Sequence, residues 1–179
     1  MKKGIAAPHN QTHAAPTQGQ SSPRPILLLG TLLMALLMAL TLPLSARADT
    51  LPADAFKDMI AHADDYGFSH YTDIDVKDGG AINVEGWLSD DWRGKVDFAA
   101  DGTPVREERN QKDKGPDGIS SDQLHAALGT AINEGMRRIE KVDVDNRNII
   151  EIEGKDEAGQ ELEIRINADT GEVTGVKRD

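Results

Sequence analysis

Residues 54–110 and 122–178 lie on one another at a constant offset of 68 residues, without a gap. The offset matches Asp54 with Asp122, Ala63 with Ala131, Gly67 with Gly135, Asp75-Val76 with Asp143-Val144, and Ile82 with Ile150. It also matches Glu85-Gly86 with Glu153-Gly154, Asp101 with Asp169 and Val105 with Val173. Apolar residues stay opposite apolar ones at Phe56/Leu124, Ile60/Leu128, Ile74/Val142, Val84/Ile152, Val96/Ile164 and Phe98/Ile166. Self-similarity at a fixed period is the mark of one supersecondary unit used twice. This narrows the folds open to the chain, because both copies must hide the same apolar face.

Each copy opens with helical spacing. Phe56, Met59, Ile60 and Ala63 fall at i, i+3, i+4 and i+7, as do Leu124, Ala127, Leu128 and Ala131, which gives each helix one apolar stripe. Ser120-x-x-Gln123 reads as a capping box, and Gly67 and Gly135 as C-terminal stops. The period then changes to two. Thr72-Ile74-Val76, Ile82-Val84-Gly86, Val96-Phe98 and a short strand near Val105 repeat as Val142-Val144, Ile150-Ile152-Gly154, Leu162-Ile164-Ile166 and Val173. Asp78-Gly79-Gly80, Asp101-Gly102, Asp145-Asn146, Ala158-Gly159 and Thr170-Gly171 are turns short enough for antiparallel hairpins.

The expected fold class is therefore α+β, two repeated units, each one helix packed on an antiparallel meander of three or four strands. The units are residues 49–110 and 119–179, joined by a polar linker at 111–118. A unit of about 60 residues buries only about 60% of its unfolded surface and is marginal alone. The two are expected to share one body, either as two lobes or as a pseudo-symmetric continuous sheet with two helices on one face.

Residues 1–48 read as an export signal. An uncharged apolar run, residues 26–42, follows Lys2, Lys3 and Arg24 and precedes Pro43 and the small-x-small site Ala46-Arg47-Ala48. That order is the pattern of a secretory signal peptide cut before Asp49. The competing reading is an uncleaved anchor, the only route by which this chain would touch a membrane; in both cases the acidic remainder leaves the cytoplasm. The expected location is periplasmic or secreted.

From Asp49 onward, 16 cations face 31 carboxylates. A surface this acidic repels phosphate backbones, which argues against nucleic acid as a partner. The absence of cysteine removes disulfides, cysteine zinc sites, iron–sulfur clusters and thiol nucleophiles. Beyond the signal, His62, His70 and His125 are the only histidines, and none are at i, i+4, so a zinc site lacks its usual ligands. Asp73-x-Asp75-x-Lys77 and Asp143-x-Asp145-x-Arg147 begin like calcium loops but place a cation at the fifth position and lack the bidentate glutamate, so they read as strand ends. Neighbouring acids such as Asp64-Asp65, Asp90-Asp91 and Glu107-Glu108 read as a solvated face rather than an acid/base pair. No catalytic residue, metal or cofactor is assigned, and an enzyme is not expected.

A helix followed by three hairpin-linked strands, closing with residues 163–177, Glu-Ile-Arg-Ile-Asn-Ala-Asp-Thr-Gly-Glu-Val-Thr-Gly-Val-Lys, resembles the PepSY domain. Residues 82–106 fit the same pattern more loosely, with Asp101-Gly102-Thr103-Pro104 in place of the fuller turn. The resemblance implies an extracytoplasmic binding module without catalytic residues. Similar domains occur in the propeptides of thermolysin-like metalloproteases and in small secreted proteins with an inhibitor-like role. Secreted β-lactamase inhibitors, also tandem helix-plus-sheet proteins, are a neighbouring possibility.

The seven aromatic residues all lie in the first unit. Phe56, Phe68, Tyr71 and Phe98 stand opposite Leu124, Met136, Ile139 and Ile166 and are assigned to the core. Tyr66, Trp87 and Trp92 stand opposite Glu134, Lys155 and Gln160, positions expected to face water. Exposed tryptophans are common interface anchors. The candidate partner-binding residues are Trp87, Trp92, Tyr66, Leu88, Asp90 and Asp91, the partner being a protein, foremost a secreted or periplasmic peptidase. The bland alternative is that Trp87 and Trp92 pair across a hairpin or cover a junction. Two further readings remain open: an acidic module that binds cations or cationic ligands, and a structural or stress protein of the envelope.

Overall fold

The computed structural model describes residues 49–89 and 91–179. The export segment and Asp90 lie outside the described residues. The first half contains β1 (Leu51–Pro52), α1 (Ala53–Tyr66), β2 (His70–Val76), β3 (Ile82–Ser89), β4 (Trp92–Phe98) and β5 (Pro104–Gln111). The second contains β6 (Ile119–Ser120), α2 (Ser121–Asn133), β7 (Arg138–Val144), β8 (Ile149–Lys155), β9 (Glu161–Asn167) and β10 (Val173–Arg178). The fold is α+β, two helices and one large antiparallel sheet.

The strands run in the order β10-β9-β8-β7-β2-β3-β4-β5, so the sheet is continuous through the middle of the molecule. There β2 and β7 pair through Asp73/Asp143, Ile74/Val142 and Asp75/Lys141. The short strands cross between halves: Leu51 pairs with Ile139 of β7, and Ile119 with Tyr71 of β2. Each half thus lends its first strand to the other's sheet, which ties the halves through backbone hydrogen bonds as well as side chains.

Both helices lie over the same apolar layer. Phe56, Met59, Ile60 and Ala63 of α1 and Leu124, Ala127, Leu128 and Ala131 of α2 are buried in one cluster with Ile74, Ile82, Val84, Val96, Phe98, Val142, Ile150, Ile152, Ile164 and Ile166 of the sheet. The helix ends follow the sequence reading. The Ser120 hydroxyl accepts from the Gln123 N–H, and the Gln123 side chain accepts from the Ser120 N–H. Gly67 and Gly135 adopt φ of 117° and 108°, and the next amides, of Phe68 and Met136, donate back to Ala63 and Ala131.

Gly86 and Gly154 have a different reason to be glycine. β2 carries a bulge between Tyr71 and Asp73, and β7 one between Ile139 and Lys141. Each bulge pushes a carbonyl oxygen, of His70 or Arg138, to 2.0 Å from where a Cβ on Gly86 or Gly154 would stand. A side chain at either position would overlap the backbone of a central strand.

One expectation needs correction. The strand near Val105 is not short but runs eight residues to Gln111, taking up the start of the expected linker. Asp73-x-Asp75-x-Lys77 and Asp143-x-Asp145-x-Arg147 do run off the ends of β2 at Val76 and of β7 at Val144. The pairing of β2 with β7 places Asp73 opposite Asp143, on the face away from the helices. Lys141 sits between them, its Nζ 3.4 Å from a carboxylate oxygen of each.

Candidate interaction surface

The five described candidates, Trp87, Trp92, Tyr66, Leu88 and Asp91, do not form one patch. Trp87 alternates along β3 with Glu85 and Asn83, so it does leave the sheet on the face opposite the helices, as expected from its match to Lys155. It does not meet water there. Only 3% of its surface is exposed, and it is separate from the main apolar cluster. The cover is the linker. To pass from β5 at the sheet edge to β6 on the far edge of β2, residues 112–118 must pass β4, β3 and β2. The indole N–H donates to Asp117 Oδ1 at 2.6 Å, Lys112 N–H donates to Asp91 O at 2.8 Å, and Gly118, at φ +88°, closes on the Tyr71 carbonyl. Trp87 is therefore withdrawn as an exposed contact residue: it anchors the linker.

Leu88 is half-buried for a reason its neighbours explain. At the position where the second half carries the buried Leu162, the first half has Gly94, and Leu88 fills that space; a Cβ on Gly94 would stand 2.8 Å from Leu88 Cδ1. Leu88 follows Ile82, Val84 and Gly86 on the helix side of β3, and the bulge between Trp87 and Ser89 falls at its place.

Tyr66, Leu88 and Trp92 share the helix-bearing side of the sheet. Gly94, Val96 and Phe98 point to the helix side of β4, and Trp92, two residues before Gly94, shares that side. Tyr66, at the end of α1, meets Phe98 edge-to-face with ring centroids 5.6 Å apart and Phe68 at 6.2 Å. Arg109 is paired with Gly94 across β4–β5, and its guanidinium donates to the Tyr66 hydroxyl at 3.4 Å. Trp92 is 40% exposed and Asp91 is exposed at the adjoining turn. The result is an aromatic end of the helix-bearing side, past the last turn of α1, with Trp92 as its open member. The corresponding residues of the second half, Glu134, Asp156 and Gln160, are polar.

The opposite face of the sheet is a charge mosaic. Glu85 pairs with Lys95 at 2.5 Å, and Arg165 with Glu151 and Glu163 at 2.7 Å. Burial pushes the Asp73 carboxyl above its ordinary range, Asp143 adding to this and Lys141 opposing it; burial and then Glu151 do the same to Glu153. This asymmetry could not be read from the sequence, since it depends on β2 lying beside β7.

Sequence reasoning missed one polar link. Asp64, read as part of a solvated acidic pair, accepts from the Tyr71 hydroxyl at 2.5 Å and stands 3.0 Å from His125 Nε2, joining α1, β2 and α2. Burial and then the Asp64 carboxylate hold the Tyr71 hydroxyl well above the usual phenol range. His62 lies against the Gly102 turn and His70 beside the Ser69 hydroxyl. Among the described residues no group of three histidines, aspartates or glutamates could hold a metal ion, and no helix is long and apolar enough to cross a membrane.

Residues 98–177 match the PepSY_2 family model, described as peptidase propeptide and YPEB domain. The PepSY_2-matching segment starts at the end of β4 and takes in β5, the linker and nearly all of the second half. Among solved structures, the chain is similar to a Clostridium difficile 630 protein described as a lipoprotein, with 18% identity and a TM-score of 0.42 over 74% of this chain and 97% of that one. No curated protein matches the chain.

Proposed function

We propose that the protein is a non-catalytic extracytoplasmic binding module, built as two PepSY-type units at 49–110 and 119–179, that restrains or assists a peptidase by occluding part of its surface. The observation that carries this reading is the PepSY_2 match over residues 98–177. The contact surface in this proposal is the aromatic end formed by Tyr66, Leu88 and Trp92, with Asp91 at its rim. Trp92 is the anchor, because a large exposed ring beside half-buried apolar neighbours is the usual core of a protein interface. Residues 1–48 direct export, with cleavage near Ala48-Asp49 in the proposal.

The test is inhibition of a panel of purified secreted peptidases, read by cleavage of a fluorogenic peptide, with the Trp92→Ala variant beside the parent. Inhibition weakened at least about tenfold in the folded variant supports the proposed surface. Inhibition unchanged by Trp92→Ala refutes the surface, and no binding or activation or inhibition of any peptidase refutes the target class.

One observation favours a second reading. The carboxylates crowded round Lys141, Asp73, Asp143 and Asp75, belong to an acidic sheet face that suits cationic ligands. Binding there would be lost in high salt and indifferent to Trp92, whereas an aromatic anchor resists salt.

A further inference from the structure

Both edge strands carry a bulge near their start, β10 between Val173 and Gly175 and β5 between Pro104 and Arg106. Past the bulge β10 pairs with β9 only over Gly175–Arg178, whereas β5 keeps an unbroken register with β4 from Asp97/Arg106 to Trp92/Gln111, and every residue of β5 is exposed.

The hydrogen-bond phase of this edge can be assigned. The Lys112 N–H donates to Asp91 O, and these two residues continue the β4–β5 register by one step. Directly opposed residues in an antiparallel ladder alternate between bonded and non-bonded pairs. Arg106, Glu108 and Asn110 therefore bond inward to β4, and Glu107, Arg109 and Gln111 turn their N–H and C=O groups to the open edge.

This phase filters the ways β5 can pair with a copy of itself. A bonded pair needs an outward residue from each strand, so Glu107 and Arg109 can oppose each other or themselves but not Glu108 or Arg106. The forbidden registers are the ones that would set Arg106 against Arg109 and Glu107 against Glu108. Of the allowed registers, those centred on Glu107 or Arg109 set that residue against its own copy, and the one centred on Glu108 sets Glu107 opposite Arg109 of the second copy, twice by symmetry. Glu108 then faces Glu108 of the second copy across the two-fold axis, and that like-charge contact is offset by Arg106 and Lys95 of both copies, each of which already flanks Glu108 within one chain. Opposite charges directly across a sheet stabilise it, and like charges destabilise it.

We propose that a second copy of this chain docks along β5, antiparallel, with its two-fold axis at Glu108, extending the sheet from one molecule into the next. The axis is perpendicular to the sheet, so both Trp92 surfaces face the same way and the dimer presents two of them. A strand-to-strand contact is smaller than a standard interface of about 1,600 Å², so the dimer is weak and concentration-dependent.

The experiment uses protein expressed from the full-length chain and purified after export. Sedimentation velocity from about 1 μM to about 500 μM is expected to show a monomer–dimer equilibrium. Glu107→Pro removes one outward N–H without touching the ladder to β4, and is expected to weaken the dimer at least about tenfold. If that variant does not fold, a charge exchange serves: Glu107→Arg weakens the dimer by a similar factor, and Glu107→Arg with Arg109→Glu restores it. The parent has no cysteine, so Glu108→Cys is expected to give a disulfide-linked dimer on mild oxidation, because a non-bonded pair brings Cα atoms to about 4.5 Å. Glu107→Cys is expected not to. A monomer at every concentration, a dimer indifferent to the charge exchange, or cross-linking at 107 instead of 108 would each overturn the proposal.

Discussion

Replacing Gly154 by alanine tests the fold at its most constrained point. The new Cβ would stand 2.0 Å from the Arg138 carbonyl oxygen, 3.0 Å from its carbon and 3.1 Å from Ile139 Cα. A carbon and an oxygen rest at about 3.3 Å or more, so the backbone has to yield by more than about 1 Å. The obstacle is main chain of β7, held at Arg138–Ile139 by β8 on one side and by β1 on the other, and it cannot swing aside like a long side chain. Overpacking of this kind costs about 1–3 kcal/mol, and immovable backbone places this site at the upper end. The gain from restricting the unfolded chain, about 0.5–1 kcal/mol, offsets only part of it. A net loss of about 2 kcal/mol corresponds to a fall in melting temperature of about 6–10 °C for a body of this size. Gly86→Ala meets the His70 carbonyl at the same 2.0 Å and is expected to cost as much. Gly129→Ala is the control, since nothing lies within 4 Å of its Cβ in the interior of α2; it is expected to stabilise by about 0.5–1 kcal/mol. Thermal and urea unfolding followed by far-UV circular dichroism measure all three. Gly154→Ala melting within about 2 °C of the parent would refute the reasoning.

Other outcomes follow from the same geometry. Phe56→Ala empties a fully buried site in α1 and should cost about 3–5 kcal/mol in urea titrations. Asp117→Ala removes the partner of the Trp87 indole and should cost about 1–2 kcal/mol, with a red shift in tryptophan emission as the linker loosens; unchanged emission would deny that role. The Asp73 carboxyl is raised above its usual 3.8 chiefly by burial, so the folded state holds its proton more tightly than the unfolded one. Stability therefore falls as pH rises through the window above 3.8, and Asp73→Asn should gain less than about 1 kcal/mol at neutral pH, a gain that fades as the pH drops toward 3.8. A gain that persists below that value would point to another cause.

The helices were readable from sequence because their signals are local: the apolar stripe, the Ser120/Gln123 box and the stops at Gly67 and Gly135 all concern neighbours in the chain. The strands were readable for the same reason, and residues 163–177, the closest fit to the PepSY pattern, fall inside the matched segment 98–177. The errors came from contacts between residues distant in the chain. Trp87 was placed on the correct face of its strand, yet its exposure depends on where the linker passes, which no periodicity encodes. Asp64 gave no sign of its bonds to Tyr71 and His125, because its partners are brought to it by the strand and by the second helix.

The confinement of every ring to the first half has a practical consequence. Fluorescence and near-ultraviolet dichroism report on residues 56–98 alone, while far-ultraviolet dichroism reports on the whole body. The chain thus carries its own differential label. If the exchange of β1 and β6 between the halves makes them unfold together, the two spectral windows will trace a single curve, and any gap between the traces will measure how far one half can melt while the other stands.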